Sequence, residues 1–318
     1  MKRIGLLFVV LFLISCDRGE LPIAPHDPGD VLTTVIPMES DYRNQLFYDL
    51  GSNSVVSSNI KTDWDIALES SIEGYHVFLN SARGGGVWKI DGNHFDSLFV
   101  PDLSEDYWRW DSPSGNIDST AVGDYRGKDI YFVINRGYNA SGNHTGYRKM
   151  RIDSVNSQGY MMRIASLDNA LDTIFWIYKD VSSRRIHLTF SDYETVVIEP
   201  DRFAWDLLFS QYTHVFGDTM AYLVTGCLIN TENISVAVDT VNLFSEINYD
   251  IIDGYVFSDR LNVIGYNWKE YQDGSYVIFP EINYIIKDVE GLYFKLHFID
   301  FYNELGQKGF PTFELQLL

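Results

Sequence analysis

Apolar and polar residues alternate along this chain in short runs, each cut off by turn residues. QLFYDL (45–50) ends in GSNS, DIYFVI (129–134) in NRGYNASGN, and YVIF (276–279) in PEIN. A period of two over four to eight residues predicts half-buried strands bounded by turns. No stretch of real length keeps apolar residues at helical spacing. DSLFVPDLSEDYWRW (96–110) comes nearest to a short helix, and Pro101 interrupts it. The pattern predicts an all-β protein, an antiparallel sandwich-like fold of two packed sheets.

One strand pattern occurs twice. DWDIAL stands at 63–68 and AWDLLF at 204–209. An aromatic strand and a Val-Val pair precede both, and a His-Val with Phe close behind follows both, at His76 and His214. Further on, YRKMRIDSVNSQGYMMRIASLDN resembles NYIIKDVEGLYFKLHFIDFYN, each reading as strand, turn at Gly159 or Gly291, and strand. Two readings stand: a duplication into diverged β units at 36–183 and 184–318, or hairpins that resemble each other by chance. Strict alternation puts Trp64, Ile66 and Leu68 on one face and Asp65 on the other. Trp64 and Trp205 then read as core anchors, and Asp65 and Asp206 as acceptors for a neighbouring loop's backbone.

The ends add a location. Lys2 and Arg3 precede an apolar run, Ile4–Ile14, too short to span a bilayer, which needs roughly 20 apolar residues. Leu13-Ile14-Ser15-Cys16 resembles a bacterial lipobox, which implies a signal peptide over 1–16 and lipid on Cys16; the alternative is an ordinary signal peptide with an incidental cysteine. DRGELPIAPHDPGD follows, and residues 17–35 read as a flexible tether. Cys227 then has no partner for a disulfide, so the fold rests on its core. Without Lys2 and Arg3, 22 bases face 44 acids. That balance argues against nucleic acid and against docking by charge on an anionic membrane, and it fits a protein kept soluble by acidity.

WDIAL, WDLLF and above all the end of the chain, YIIKDVEGLYFKLHFIDFYNELGQKGFPTFELQLL, resemble the HmuY-like haem-binding lipoproteins of Bacteroidetes. NVIGYNWKEY (262–271) looks similar too. The resemblance is strongest over 184–318. It implies an all-β fold, a lipid anchor at the outer membrane, and capture of haem for a TonB-dependent outer-membrane receptor. It implies no reaction. The family's iron ligands lie in variable loops outside the matched motifs, so none carries over to a numbered position.

A haem site needs one or two axial ligands in an apolar slot with aromatics against the ring. Of the seven histidines, His26 lies in the tether, His94 and His144 in polar loops, and His187 and His297 in alternating strands where a lone His is usually structural. His76 and His214 follow the Trp-Asp strands. QYTHVFGDTMAYLV is the richest stretch: Tyr212, His214, Met220 and Tyr222 around a turn at Gly217-Asp218. As a hairpin it is expected to set His214 and Met220 opposite each other. The haem-binding candidates are therefore His214, Met220, Tyr212, Tyr222 and His76. No His-Glu-x-x-His, Gly-x-Ser-x-Gly or phosphate-loop motif occurs, and the glycines of SARGGGVW suit a turn or bulge. The reading is non-enzymatic. Its rival is a surface lipoprotein for glycan or protein partners, whose aromatics stack on sugars.

Overall fold

The alternating runs become strands. QLFYDL lies within and just beyond Asn44–Asp49, and DIYFVI is almost coextensive with Ile130–Asn135. The computed structural model describes residues 28–318 apart from 93, 103, 218, 219 and 233. The signal peptide 1–16, Cys16, His26 and Asp218 lie outside the described residues. The stretch 96–110 forms only a 3-10 turn at Glu105–Tyr107. Ordered strand begins inside the expected tether, because Leu32–Val35 pairs along the edge of Lys308–Leu317.

Four antiparallel sheets make up the body, and Lys269–Gln272 with Ser275–Ile278 forms a fifth, two-stranded one. One five-stranded sheet runs in the order Asp172–Tyr178, Gly159–Ala165, Tyr147–Asn156, Ile130–Asn135, Gly86–Asp91. It packs on a four-stranded sheet made of Thr195–Val196, Arg185–Leu188, Ile66–Glu69 and Val77–Leu79, around a core that includes Leu68, Phe132 and Met162. The second five-stranded sheet runs Leu32–Val35, Lys308–Leu317, Tyr293–Tyr302, Asn283–Lys287, Ser235–Asp239. Its four-stranded partner is Met220–Ile229, Leu207–Phe216, Asn44–Asp49 and Ser54–Ile60, with Tyr48, Phe209, Phe298 and Phe313 between them. The outer faces of the two four-stranded sheets meet through Phe47, Trp64, Ala67, Phe78, Ile198 and Trp205. The layers thus stack five, four, four, five, and the inner strands Asn44–Asp49 and Ile66–Glu69 are buried on both faces.

The sandwiches do not divide at 183/184. One holds strands from Ile66 to Val196, and the other combines Leu32–Ile60 with Leu207–Leu317. The expected boundary falls inside the first, between its strands Asp172–Tyr178 and Arg185–Leu188. The physical reason lies at the Trp-Asp steps, where each strand bonds to one from the other expected unit.

Those steps share their backbone and asparagine bonds. The Asp65 N–H donates to the Leu188 carbonyl and the Asp206 N–H to that of Tyr48, both at 2.8 Å. The Asn80 amide spans the carbonyls of Lys61 and Trp64, and Asn230 spans those of Arg202 and Trp205. The Asp65 carboxylate accepts from the Phe190 N–H at 2.6 Å, and that of Asp206 from the Leu50 N–H at 2.7 Å. His187 meets Trp64 edge-on at 4.7 Å, where Phe47 meets Trp205 at 5.0 Å. Trp64 does not share the face of Ile66 and Leu68: it precedes the strand, and the locked step turns it into the central layer beside Ala67. In SARGGGVW, a Cβ on Gly85 would lie 2.2 Å from the Asn135 carbonyl oxygen, so close backbone approach requires a glycine there.

Candidate functional site

Leu207–Phe216 and Met220–Ile229 pair without interruption, from Leu207 opposite Ile229 to Phe216 opposite Met220. Only Leu207, Leu208 and Phe209 also pair with the neighbouring strand, so the outer part of the hairpin leaves the sheet on that side. Paired residues in an antiparallel ladder point to the same side. Tyr212, His214 and Phe216 therefore share one face with Met220 and Tyr222. His214 lies opposite Tyr222, and Met220 opposite Phe216. The expected pairing of His214 with Met220 is off by one diagonal step, because Met220 pairs with Phe216.

Burial grades outward along this face. Tyr212 is buried at the base, while Phe216, Met220 and Tyr222 are each about half exposed, at 44%, 48% and 54%. The Tyr212 hydroxyl is buried and has no partner among the described residues. Burial, followed by the neighbouring Tyr266, pushes its pKa upward. Its ring packs over Gly226, where a Cβ would come within 2.3 Å of the Gly265 carbonyl oxygen. Cys227 and Gly265 exchange backbone hydrogen bonds at 2.9 Å, which brings the following Tyr266 to the hairpin. The His214 ring stands edge-on to Phe216 at 4.5 Å and to Tyr266 at 5.2 Å. Its Nδ1 is buried without a partner among the described residues. Burial lowers its pKa, so the imidazole is neutral at pH 7 and above.

A neutral imidazole, a thioether and three aromatic rings on one partly exposed face form a donor set that suits a haem iron and its macrocycle. Tyr266 adds a fourth ring from outside the hairpin. Phe216 was legible as the residue two on from His214, whereas Tyr266 joins through a long-range bridge that local pattern does not encode.

His76 does not join this group. It precedes Val77–Leu79 at the end away from Ser81, the residue whose carbonyl accepts the Thr213 hydroxyl at 2.8 Å. Its Nδ1 lies 2.6 Å from Glu69, and its ring stacks on Tyr75 at 4.0 Å. His297 is held by the Pro280 carbonyl and Glu314, and His144 by Asn135. His187 is buried against Trp64. Among the described residues, no group of three His, Cys, Asp or Glu side chains is arranged to hold a bare metal ion.

The family model described as HmuY protein matches residues 41–315. Among solved structures, an apo HmuY analogue of Tannerella forsythia is 15% identical with a TM-score of 0.25, and the match covers 54% of this chain and 94% of that one. Apo PinO, given as from Porphyromonas gingivitis, is 9% identical with a TM-score of 0.30, covering 91% and 97%. A Bacteroides vulgatus protein provisionally described as HmuY-like and haem-binding is 13% identical with a TM-score of 0.25, covering 90% of each chain. No curated protein matches the chain.

Proposed function

The chain belongs to the HmuY family, and on that footing we propose that it is a lipid-anchored binding protein of the bacterial cell envelope, without catalytic activity, that takes up haem or a related porphyrin and passes it to a TonB-dependent outer-membrane receptor. The ligand sits on the outer face of the hairpin 207–229. The observation that carries this reading is the unpartnered Nδ1 of His214, held neutral by burial beside an exposed thioether and aromatic rings. The His214 ring makes no hydrogen bond among the described residues, and a neutral imidazole is the form that ligates iron. Met220, diagonal to His214, offers a soft second ligand, while Phe216, Tyr222 and Tyr266 supply apolar surface for the macrocycle. Haem would supply the iron and the ring, and the chain the donors and an apolar face. Cys16 carries the lipid anchor, and among the described residues no helix is long and apolar enough to cross a membrane.

The test is a haemin titration followed in the Soret band. Wild type is expected to bind saturably. His214→Ala is expected to weaken binding at least tenfold, about 1.4 kcal/mol, and to shift the band. Met220→Ala should shift the band with a smaller loss. Absence of saturable binding by wild type would sink the assignment and favour a glycan or protein partner. Tight binding indifferent to both substitutions would move the site elsewhere.

A further inference from the structure

Three arginines meet where the two sandwiches join, and most of their donors are unused. Arg184 and Arg185 open the strand Arg185–Leu188 of one sandwich. Arg202 precedes the Trp205-Asp206 step leading into the other. Together they line a cavity of about 190 Å³ with Phe78, Thr231 and Glu232. Arg185 also borders three further cavities around it.

A guanidinium carries five N–H donors. Arg184 donates to Asn230, Thr231 and Glu199, at 3.3, 2.8 and 3.3 Å, and its Nε is buried without a partner. The Arg202 guanidinium makes no hydrogen bond among the described residues. Its Nε is buried, and it comes only within 3.9 Å of Glu232. Arg185 makes none either, and its guanidinium carbon lies over the Phe78 ring, 4.0 Å from the ring centre.

The surrounding carboxylates Glu69, Asp111, Glu199 and Glu232 lie near enough to act by charge, but none accepts a hydrogen bond from Arg185 or Arg202 among the described residues. Glu69 is taken by His76, Ser71 and two backbone N–H groups. Asp111 accepts the N–H groups of Leu79 and Ala121. Glu199 contacts Arg184, not Arg185. A cation withdrawn from water without hydrogen bonds is costly unless a counter-charge meets it. Arginine forks fit the planar or tetrahedral oxygens of carboxylate and phosphate.

We propose that Arg184, Arg185 and Arg202 form a binding site for a small oxyanion, either a phosphate or the carboxylate of a small organic acid, in the cavity between the two sandwiches. The ligand bridges the halves of the molecule, since the arginines before each inner strand and Thr231 reach it from both sides. This site is separate from the hairpin face and does not rest on the porphyrin reading. The chain's net charge of −20 disfavours anions on the general surface, so saturable uptake reports a local site.

The experiment is calorimetric titration of the full chain with inorganic phosphate, and separately with acetate and succinate, at constant ionic strength set by sodium chloride. Saturable binding of at least one at millimolar concentration is expected. Phosphate alone would assign a phosphoryl ligand, and a carboxylate alone an organic acid. Arg185→Met and Arg202→Met should each weaken it at least tenfold, with Arg43→Met at an exposed ion pair as the control that keeps it. If Arg185→Met does not fold, Arg202→Met carries the test, because that side chain is partly exposed at the cavity mouth. No saturable binding of any of the three anions, or affinity unchanged in Arg202→Met, overturns the proposal.

Discussion

Asp65 and Asp206 occupy equivalent places and carry different charges' worth of support. Asp65 is met by Arg83 at 2.6 Å and by Arg136 at 2.8 Å. Asp206 has no arginine, and its Oδ1 is buried without a partner among the described residues. Burial pushes its pKa up to about 7. An unfolded Asp titrates near 3.9, so between about pH 4 and 7 the folded state binds the extra proton. The sign follows: Asp206 makes folding less favourable as pH rises through 7. Asp206→Asn keeps the acceptor for Leu50 and removes the charge. Urea midpoints should show it raising stability more at pH 8 than at pH 5. Asp65→Asn leaves two arginines facing a neutral amide and is expected to cost about 3–5 kcal/mol at both pH values. Equal effects of the two substitutions at pH 8 would contradict the difference in their partners.

At the scale of elements, the Trp-Asp step is a device that locks one strand to another and turns a tryptophan into the central layer. Trp64 and Trp205 are 7% and 1% exposed there. Truncating either to Ala should lower stability by about 3–5 kcal/mol, read from chemical denaturation. An unchanged midpoint for either would show that the sandwiches do not depend on this layer. The strands themselves were legible, because alternation reports burial directly, and QLFYDL, DIYFVI and the hairpins turning just before Gly159 and at Gly291 could be read without a partner in view. Partner choice was not legible. Tyr48 bonds to Asp206 across more than 150 positions, and nothing local to AWDLLF says which aromatic strand it will meet. The hairpin 207–229 shows both sides of this. Its existence and its rich face were readable, whereas the diagonal relation of His214 to Met220 depended on the strand register. The likeness of His76 to His214 was one of letters: His76 sits ahead of its strand and is held by Glu69, while His214 lies within a strand. The arginine cavity escaped notice because RRIHLTF and PDRFAW carry no motif and meet only through the fold.

At the scale of the whole molecule, four layers meet through apolar contacts at each junction, and the proposed contacts with ligand and membrane fall on the hairpin 207–229 and on Cys16. The first described strand, Leu32–Val35, is tied to the last, Lys308–Leu317, and Gly29 still bonds to that edge through Leu317 and Gln316. Cys16→Ala is expected to release the protein from membranes, since lipid chains contribute about 0.8 kcal/mol per buried CH₂. Full sedimentation of that variant with membranes after a high-salt wash would contradict the anchor. The central claim, that the hairpin face takes the porphyrin iron, is tested most directly by magnetic resonance of the full chain with isotope-labelled methionine methyls and histidine rings. On addition of one equivalent of ferric haem, the Met220 methyl and the His214 ring signals should shift or broaden strongly, while buried Met150 and Met162 stay in place. Saturable haem uptake that leaves His214 and Met220 unmoved would contradict the account.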